Sequence, residues 1–161
     1  ADFSEFQGRA EAMSFERFLE APGSRYIRWS LFPVEQGRAG NHSGLIPGAI
    51  AADLPLPSFL KKGQLVDCVV RLGTRRYCYP KHKDWAWNCL LQVVGSKAVY
   101  LHGPFPNPTC RCRLHPEPPT NPIEVRLGPG DLLFIPPGWY HSVRSLQSSL
   151  SASVNFFWKE N

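Results

Sequence analysis

The sequence predicts a mainly β protein, a double-sheet jelly roll with short N-terminal helices, and three observations carry that expectation. From Leu65 onward the chain breaks into short runs rich in β-branched and aromatic residues, each bounded by turn formers. Eight such runs fit before residue 158, as many as a small double-sheet jelly roll requires. Sixteen prolines and 13 glycines among 161 residues supply the turns.

Residues 1–12 show no clear pattern. Ser14 is placed to cap a short helix whose Phe15, Phe18 and Leu19 share a face; Glu16 suits its first turn and Pro22 stops it. Arg25–Leu31 then alternates, with Ile27, Trp29 and Leu31 on one side and Arg28 and Ser30 on the other, which predicts a half-buried strand. Gly37–Gly48 reads as a loop, and Ala49–Leu60 as a short helix broken by Pro55 and Pro57. Strands are expected near 66–72, 76–83, 89–95, 97–102, 123–127, 131–136, 139–145 and 150–158. The proline-rich connection 103–122 is the longest interruption, and it is expected to be mobile and to form part of a substrate entrance. With no internal repeat, 1–161 reads as one domain: 1–64 as support, 65–158 as the β core.

Composition narrows the class. Hydrophobic residues at 43% and charged residues at 19% describe a globular chain rather than a disordered one. A net charge of +5 is mild; it favours an acidic partner without requiring nucleic acid. No apolar run approaches the roughly 20 residues of a membrane span. Five cysteines (68, 78, 89, 110 and 112) form no disulfide framework, and with no signal peptide an intracellular location is expected, cytoplasmic or nuclear. Asn41-His42-Ser43 fits a glycosylation sequon of a kind that arises often by chance. The first residue is Ala rather than Met, which suggests an upstream segment.

The chemistry gathers at Tyr79-Pro80-Lys81-His82-Lys83-Asp84-Trp85-Ala86-Trp87-Asn88. His82 and Asp84 stand two apart, and a strand aims such residues at one face. A further histidine, His141, follows a tight turn at Pro136-Pro137-Gly138, which aims the strand that carries it. Two histidines and one carboxylate form the facial triad that holds non-haem Fe(II) and leaves the opposite face open. Arg71, Arg75, Arg76, Lys81 and Lys83 cluster around this stretch and read as a solvated face, with an acidic substrate or a phosphate backbone as the alternative partner. Cys110, Cys112 and His115 have the look of a zinc motif but offer three ligands where a structural site takes four; Cys78 or Cys89 would have to complete it.

Over about residues 54–158 the chain resembles the Jumonji C and related cupin-fold Fe(II)/2-oxoglutarate oxygenases, closest to the small hydroxylase-type members. The family's His-x-Asp is matched by His82 and Asp84, followed by Asn88, Leu90, Gln92-Val93-Val94-Gly95 and Lys97. Its Gly-Asp-x-Leu-phi-Ile-Pro-x-Gly-Trp-x-His, with phi apolar, is matched in full at 130–141, and its last strand by Ser153-Val154-Asn155-Phe156-Phe157-Trp158. The resemblance implies that Lys97, 13 residues after Asp84, pairs with the distal carboxylate of 2-oxoglutarate. It implies too that Asn88 and Asn155 line the same pocket. Many relatives carry Thr where this chain has Tyr79; a phenol also bonds a carboxylate but reaches farther, so the pocket must differ. Lys83, usually aromatic in relatives, is expected to point away from the metal.

The function so implied is an Fe(II)- and 2-oxoglutarate-dependent hydroxylase with O2 as co-substrate, releasing succinate and CO2. A peptide or protein acceptor is favoured, with RNA or a small molecule as alternatives. A wybutosine-type tRNA hydroxylase is a second reading and a non-catalytic cupin binding module a third. Because the chain stops just past its last core strand, short of the C-terminal helices through which many relatives dimerise, it is expected to be monomeric.

Overall fold

The computed structural model describes residues 12–20, 22–30, 57–59, 65–104, 121–147 and 149–159. Among them the chain forms a short helix, α1 (Phe15–Glu20), and nine strands: β1 (Tyr26–Ser30), β2 (Leu65–Gly73), β3 (Cys78–Lys83), β4 (Trp87–Val94), β5 (Lys97–Pro104), β6 (Ile123–Leu127), β7 (Leu132–Ile135), β8 (Trp139–Ser145) and β9 (Ser151–Trp158). Every expected strand is present, with its described ends moved by two residues at most. The expected loop Gly37–Gly48, the sequon, most of the expected helix Ala49–Leu60, most of the connection 103–122, and Cys110, Cys112 and His115 lie outside the described residues.

Helix α1 starts where its cap requires. The Ser14 hydroxyl accepts the Arg17 backbone N–H at 3.2 Å, satisfying one of the donors that a helix start leaves open. Only Phe18 of the expected apolar face is buried, at 2% exposure; Phe15, exposed, stacks on it.

All strand pairings are antiparallel. One sheet runs β1-β2-β9-β4-β7 and the other β3-β8-β5-β6, so strands distant in sequence lie side by side, as in a jelly roll. Between the sheets, Leu90 and Ile135 of the first pack with Val99, Leu101 and Leu127 of the second. A second apolar cluster, built on Cys68, Cys89, Val154, Phe156 and Trp158, uses the alternate residues of β2, β4 and β9, hence the outer face of the five-stranded sheet. The inter-sheet space is therefore apolar toward β4, β5, β6 and β7. Toward β1, β2, β3 and β9 it is polar, and there it opens into a cavity.

That polarity inverts the reading of β1. In register, Tyr26, Arg28 and Ser30 pair with Gly73, Arg71 and Val69, and Tyr26 lines the cavity. The polar face of β1 is thus the inward one. It is satisfied by Asp67, which accepts Arg28 Nη2 at 3.1 Å and the Ser30 hydroxyl.

Two turns fix the frame. In Pro136-Pro137-Gly138-Trp139 the Trp139 N–H reaches the Pro136 carbonyl, with proline second and Gly138 at φ 78° third, the pattern of a type II turn. At the β4–β5 turn Gly95 has φ 73°, and a Cβ there would lie 1.8 Å from Gln147 Nε2. Gln147 is held, since its Oε1 accepts the Ser96 N–H at 3.0 Å and its Nε2 donates to the Leu150 carbonyl at 3.1 Å. Gly95→Ala must therefore strain the backbone and break these bonds together. A loss of about 2 kcal/mol is expected, read from urea unfolding midpoints.

Candidate metal centre

Strand β3 carries a bulge that shapes the site. Tyr79 pairs with Val143 and His82 with His141, three residues against two, so one residue is extra at Pro80-Lys81. Proline suits such a place, having no N–H to give to a ladder. Without the bulge, Tyr79 and His82 would face opposite ways. With it both face the cavity, their rings 4.7 Å apart edge to face.

The bulge also orients His82. Its Nδ1 lies 2.9 Å from the Pro80 carbonyl, which can only accept; that nitrogen is therefore the protonated one, and Nε2 is left with its lone pair. His141 repeats the device, with Nδ1 3.0 Å from the Trp139 carbonyl. Asp84 follows β3 directly, and its carbonyl accepts the Gly138 N–H at 2.8 Å, tying it to the turn that launches β8. One ligand atom from each of His82, Asp84 and His141 lies within 4.8 Å of the others, and His141 Nε2 is 3.6 Å from Asp84 Oδ2. Burial holds both imidazoles below the ordinary histidine range, against the raising effect of Asp84. They are thus neutral, the form that ligates a metal. Two lone pairs and a carboxylate converging on one point suit a divalent cation with imidazole and oxygen preferences, Fe(II) among them.

Two cavities meet at this triad. The inner one encloses about 450 Å³ of non-atom space, part of it open to solvent, and is lined by Tyr26, Arg71, Tyr79, His82, Lys97 and His141, among others. The outer one, about 1410 Å³ by the same measure, shares Arg71, Tyr79 and His82 and adds Lys81, Lys83, Asp84 and Trp85. Lys97 closes the inner cavity at 5% exposure, its Nζ 2.5 Å from the Ser153 hydroxyl. Burial, then the Arg71 charge, pushes its pKa down to about 7. Among the described residues no carboxylate is set against this lysine, and a dicarboxylate would provide one.

Of the residues expected to meet a cosubstrate, Lys97, Tyr79 and Asn155 line the inner cavity. Asn88 instead donates from Nδ2 to Asp84 Oδ2 at 3.1 Å, while its Oδ1 accepts Asn155 Nδ2 at 2.9 Å. Lys83 turns outward from the two histidines, its Nζ 5.6 Å from the centre of the Tyr140 ring, as alternation requires.

Arg71 is the main correction. Read as part of a solvated face, it points between the sheets, under the Tyr79 ring at 5.2 Å, with Nη1 donating to the Tyr26 hydroxyl. Burial opposes its charge, but Tyr26, Tyr79 and Asp84 raise its pKa above the ordinary arginine value. The signal was available: within Val69-Val70-Arg71-Leu72-Gly73, Arg71 shares a face with Val69 and Gly73 rather than standing on a polar stripe. Arg75 and Arg76 of the same cluster are exposed, as expected. Tyr26, on an unassigned face of β1, escaped notice too.

A family model described as a cupin-like domain matches residues 111–161. The tRNA wybutosine-synthesizing protein 5 of Danio rerio is 31% identical over 176 residues, covering 98% of this chain and 52% of that protein. Jumonji C domain-containing protein 5 of Drosophila melanogaster is 32% identical over 138 residues, covering 69% of this chain and 33% of its own length. The chain thus spans about half of the first relative and a third of the second. Among solved structures, Escherichia coli ycfD aligns with a TM-score of 0.49 at 24% identity, over 63% of this chain and 28% of that one. Among the described residues no helix is long and apolar enough to cross a membrane.

Proposed function

We propose that this chain, a cupin-fold protein of the Jumonji C type, is an Fe(II)- and 2-oxoglutarate-dependent oxygenase that hydroxylates its acceptor. What carries the reading is the pairing of the triad with an inner cavity that also holds a buried lysine. His82 and His141 line the inner cavity, with Asp84 converging on them, and Lys97 lines the same cavity with no carboxylate against it among the described residues. A diacid with a keto-acid head spans those two features: its distal carboxylate would pair with Lys97 while its head meets the metal.

When bound, the metal supplies the redox chemistry, splitting O2 between succinate and acceptor with loss of CO2. The chain's own residues do the rest. The Pro80 and Trp139 carbonyls keep both imidazoles in the ligating tautomer. The amide of Asn88 steadies the Asp84 carboxylate. Lys97, and the Tyr79 and Tyr26 phenols, exclude water from the inner cavity and fix the diacid. The acceptor enters from the outer cavity, which reaches two of the three ligands, His82 and Asp84.

A peptide acceptor fits an open groove of this kind. A second reading, an RNA acceptor, has its own support. The groove's lining includes Lys81, Lys83 and Trp85, the last 59% exposed. Phosphates suit the cations, and an unstacked base suits the ring. One of the matching proteins is also named for tRNA wybutosine synthesis.

The test is incubation with Fe(II), 2-oxoglutarate and 18O2, separately with peptide pools, RNA and metabolites, followed by mass spectrometry. The expected result is succinate together with an acceptor heavier by one oxygen from O2. Loss of one methylene with formaldehyde would replace hydroxylation by N-demethylation. Absence of succinate with every acceptor, in protein that binds the metal, would favour the binding module.

A further inference from the structure

We propose that Arg71 is a positioning residue for the metal carboxylate, acting on Asp84 through a relay of two asparagines; this rests on the metal reading above. Arg71 Nε donates to Asn155 Oδ1 at 2.7 Å, Asn155 Nδ2 donates to Asn88 Oδ1 at 2.9 Å, and Asn88 Nδ2 donates to Asp84 Oδ2 at 3.1 Å. The path crosses three adjacent strands, β2, β9 and β4, on their inward face, then steps to the residue after β3.

The chemistry of the two ends admits a single direction. A guanidinium has donors alone, and an ionised carboxylate has acceptors alone. Asn155 must therefore turn its oxygen to Arg71 and its amide to Asn88, and Asn88 must turn its amide to Asp84. Both asparagines are almost fully buried, at 3% exposure for Asn155 and 1% for Asn88, so bulk solvent compensates a wrong flip poorly. Without the Arg71 donor, Asn155 Oδ1 is a buried acceptor with no proton, and a flip that relieves it would present its oxygen to the Asn88 oxygen. Asp84 would then lose the bond that fixes its rotation relative to the imidazoles. Arg71 is itself braced from the other side by the Tyr26 hydroxyl and the Tyr79 ring, so the relay begins at a fixed cation. Partners of this kind, which touch a ligand rather than the metal, alter metal affinity by about ten- to hundred-fold when removed.

The experiment uses Co(II) as probe, with its dissociation constant from calorimetry and its visible absorption as the report on ligand geometry. Arg71→Met and Arg71→Lys are compared with Asn155→Ala and with the Arg71→Met/Asn155→Ala double variant, each checked for a cooperative thermal transition. Both Arg71 variants are expected to bind Co(II) about ten- to hundred-fold more weakly, with an altered spectrum. Lysine keeps the charge but lacks the Nε donor aimed at Asn155, so it should not rescue. The double variant should be no weaker than Asn155→Ala alone, because removing the first link adds nothing once the second is gone. Wild-type affinity and spectrum in Arg71→Met, or losses that multiply in the double variant, would overturn the relay while leaving the metal reading intact. Failure of the wild-type chain to bind Co(II) would instead remove the metal reading, and the relay with it.

Discussion

His141→Ala is expected to abolish metal binding and metal-dependent succinate formation while the chain still folds. The imidazole supplies one of three ligand atoms gathered within 4.8 Å, and among the described residues no other His, Cys, Asp or Glu belongs to that group. The two ligands left, His82 and Asp84 at the end of β3, hold a cation poorly, so the loss should be complete within the sensitivity of calorimetry. The cost to stability is of another kind. His141 is 3% exposed, and its ring centre lies 4.2 Å from that of His82, so truncation leaves a hole lined by polar atoms. About 2 kcal/mol of lost stability is reasonable for a buried ring whose site can take up water. Co(II) titration and a urea melt on the same sample separate the two effects. A folded His141→Ala variant that binds Co(II) as the parent does would place the metal elsewhere.

How much of this was legible beforehand depends on the residue. The strands were, because alternation, β-branched composition and turn formers agree along 65–158. The Pro136-Pro137-Gly138 turn was too, since proline and glycine state their dihedral needs directly. The three converging ligands followed from strand alternation plus one recognisable segment. What alternation could not show is a side chain's partner across the sheet. Arg71 and Asn155 are 84 residues apart and meet only because β2 and β9 are neighbours. A cation in such a place looks, in one dimension, like any surface arginine.

The inverted face of β1 has the same origin. Polar residues are normally assigned to solvent, but in this barrel the solvent-like side of β1 is the cavity wall. Tyr79 is a different case, because its inward aim comes from the bulge at Pro80-Lys81, and a bulge breaks the alternation rule used to assign faces. Functional places are where local rules fail, and here three failures surround one cavity.

Lys97→Met should weaken 2-oxoglutarate binding by two or more orders of magnitude and change its pH dependence. Removing one partner of a buried charge pair costs about 3–5 kcal/mol, and each 1.4 kcal/mol is about a factor of ten. The sharper sign is in pH. Without the diacid, Lys97 has its pKa pushed down to about 7, so above pH 7 it is mostly neutral; the dianion needs it charged. Binding above pH 7 must therefore draw a proton from solution, and affinity should fall as pH rises from 7 toward 9. Stability of the ligand-free chain moves the other way. Between about 7 and the ordinary lysine value the unfolded chain holds this proton and the folded one does not, so this group's contribution to stability grows as pH rises. Below pH 7 both states hold it and the contribution is level. Calorimetry of 2-oxoglutarate binding to the Co(II)-loaded protein, in two buffers of different ionisation enthalpy at pH 8, should show net uptake approaching one proton. Lys97→Met should show none, and its weaker affinity should be flat across the same range. Equal proton uptake in parent and variant would remove Lys97 from the diacid site.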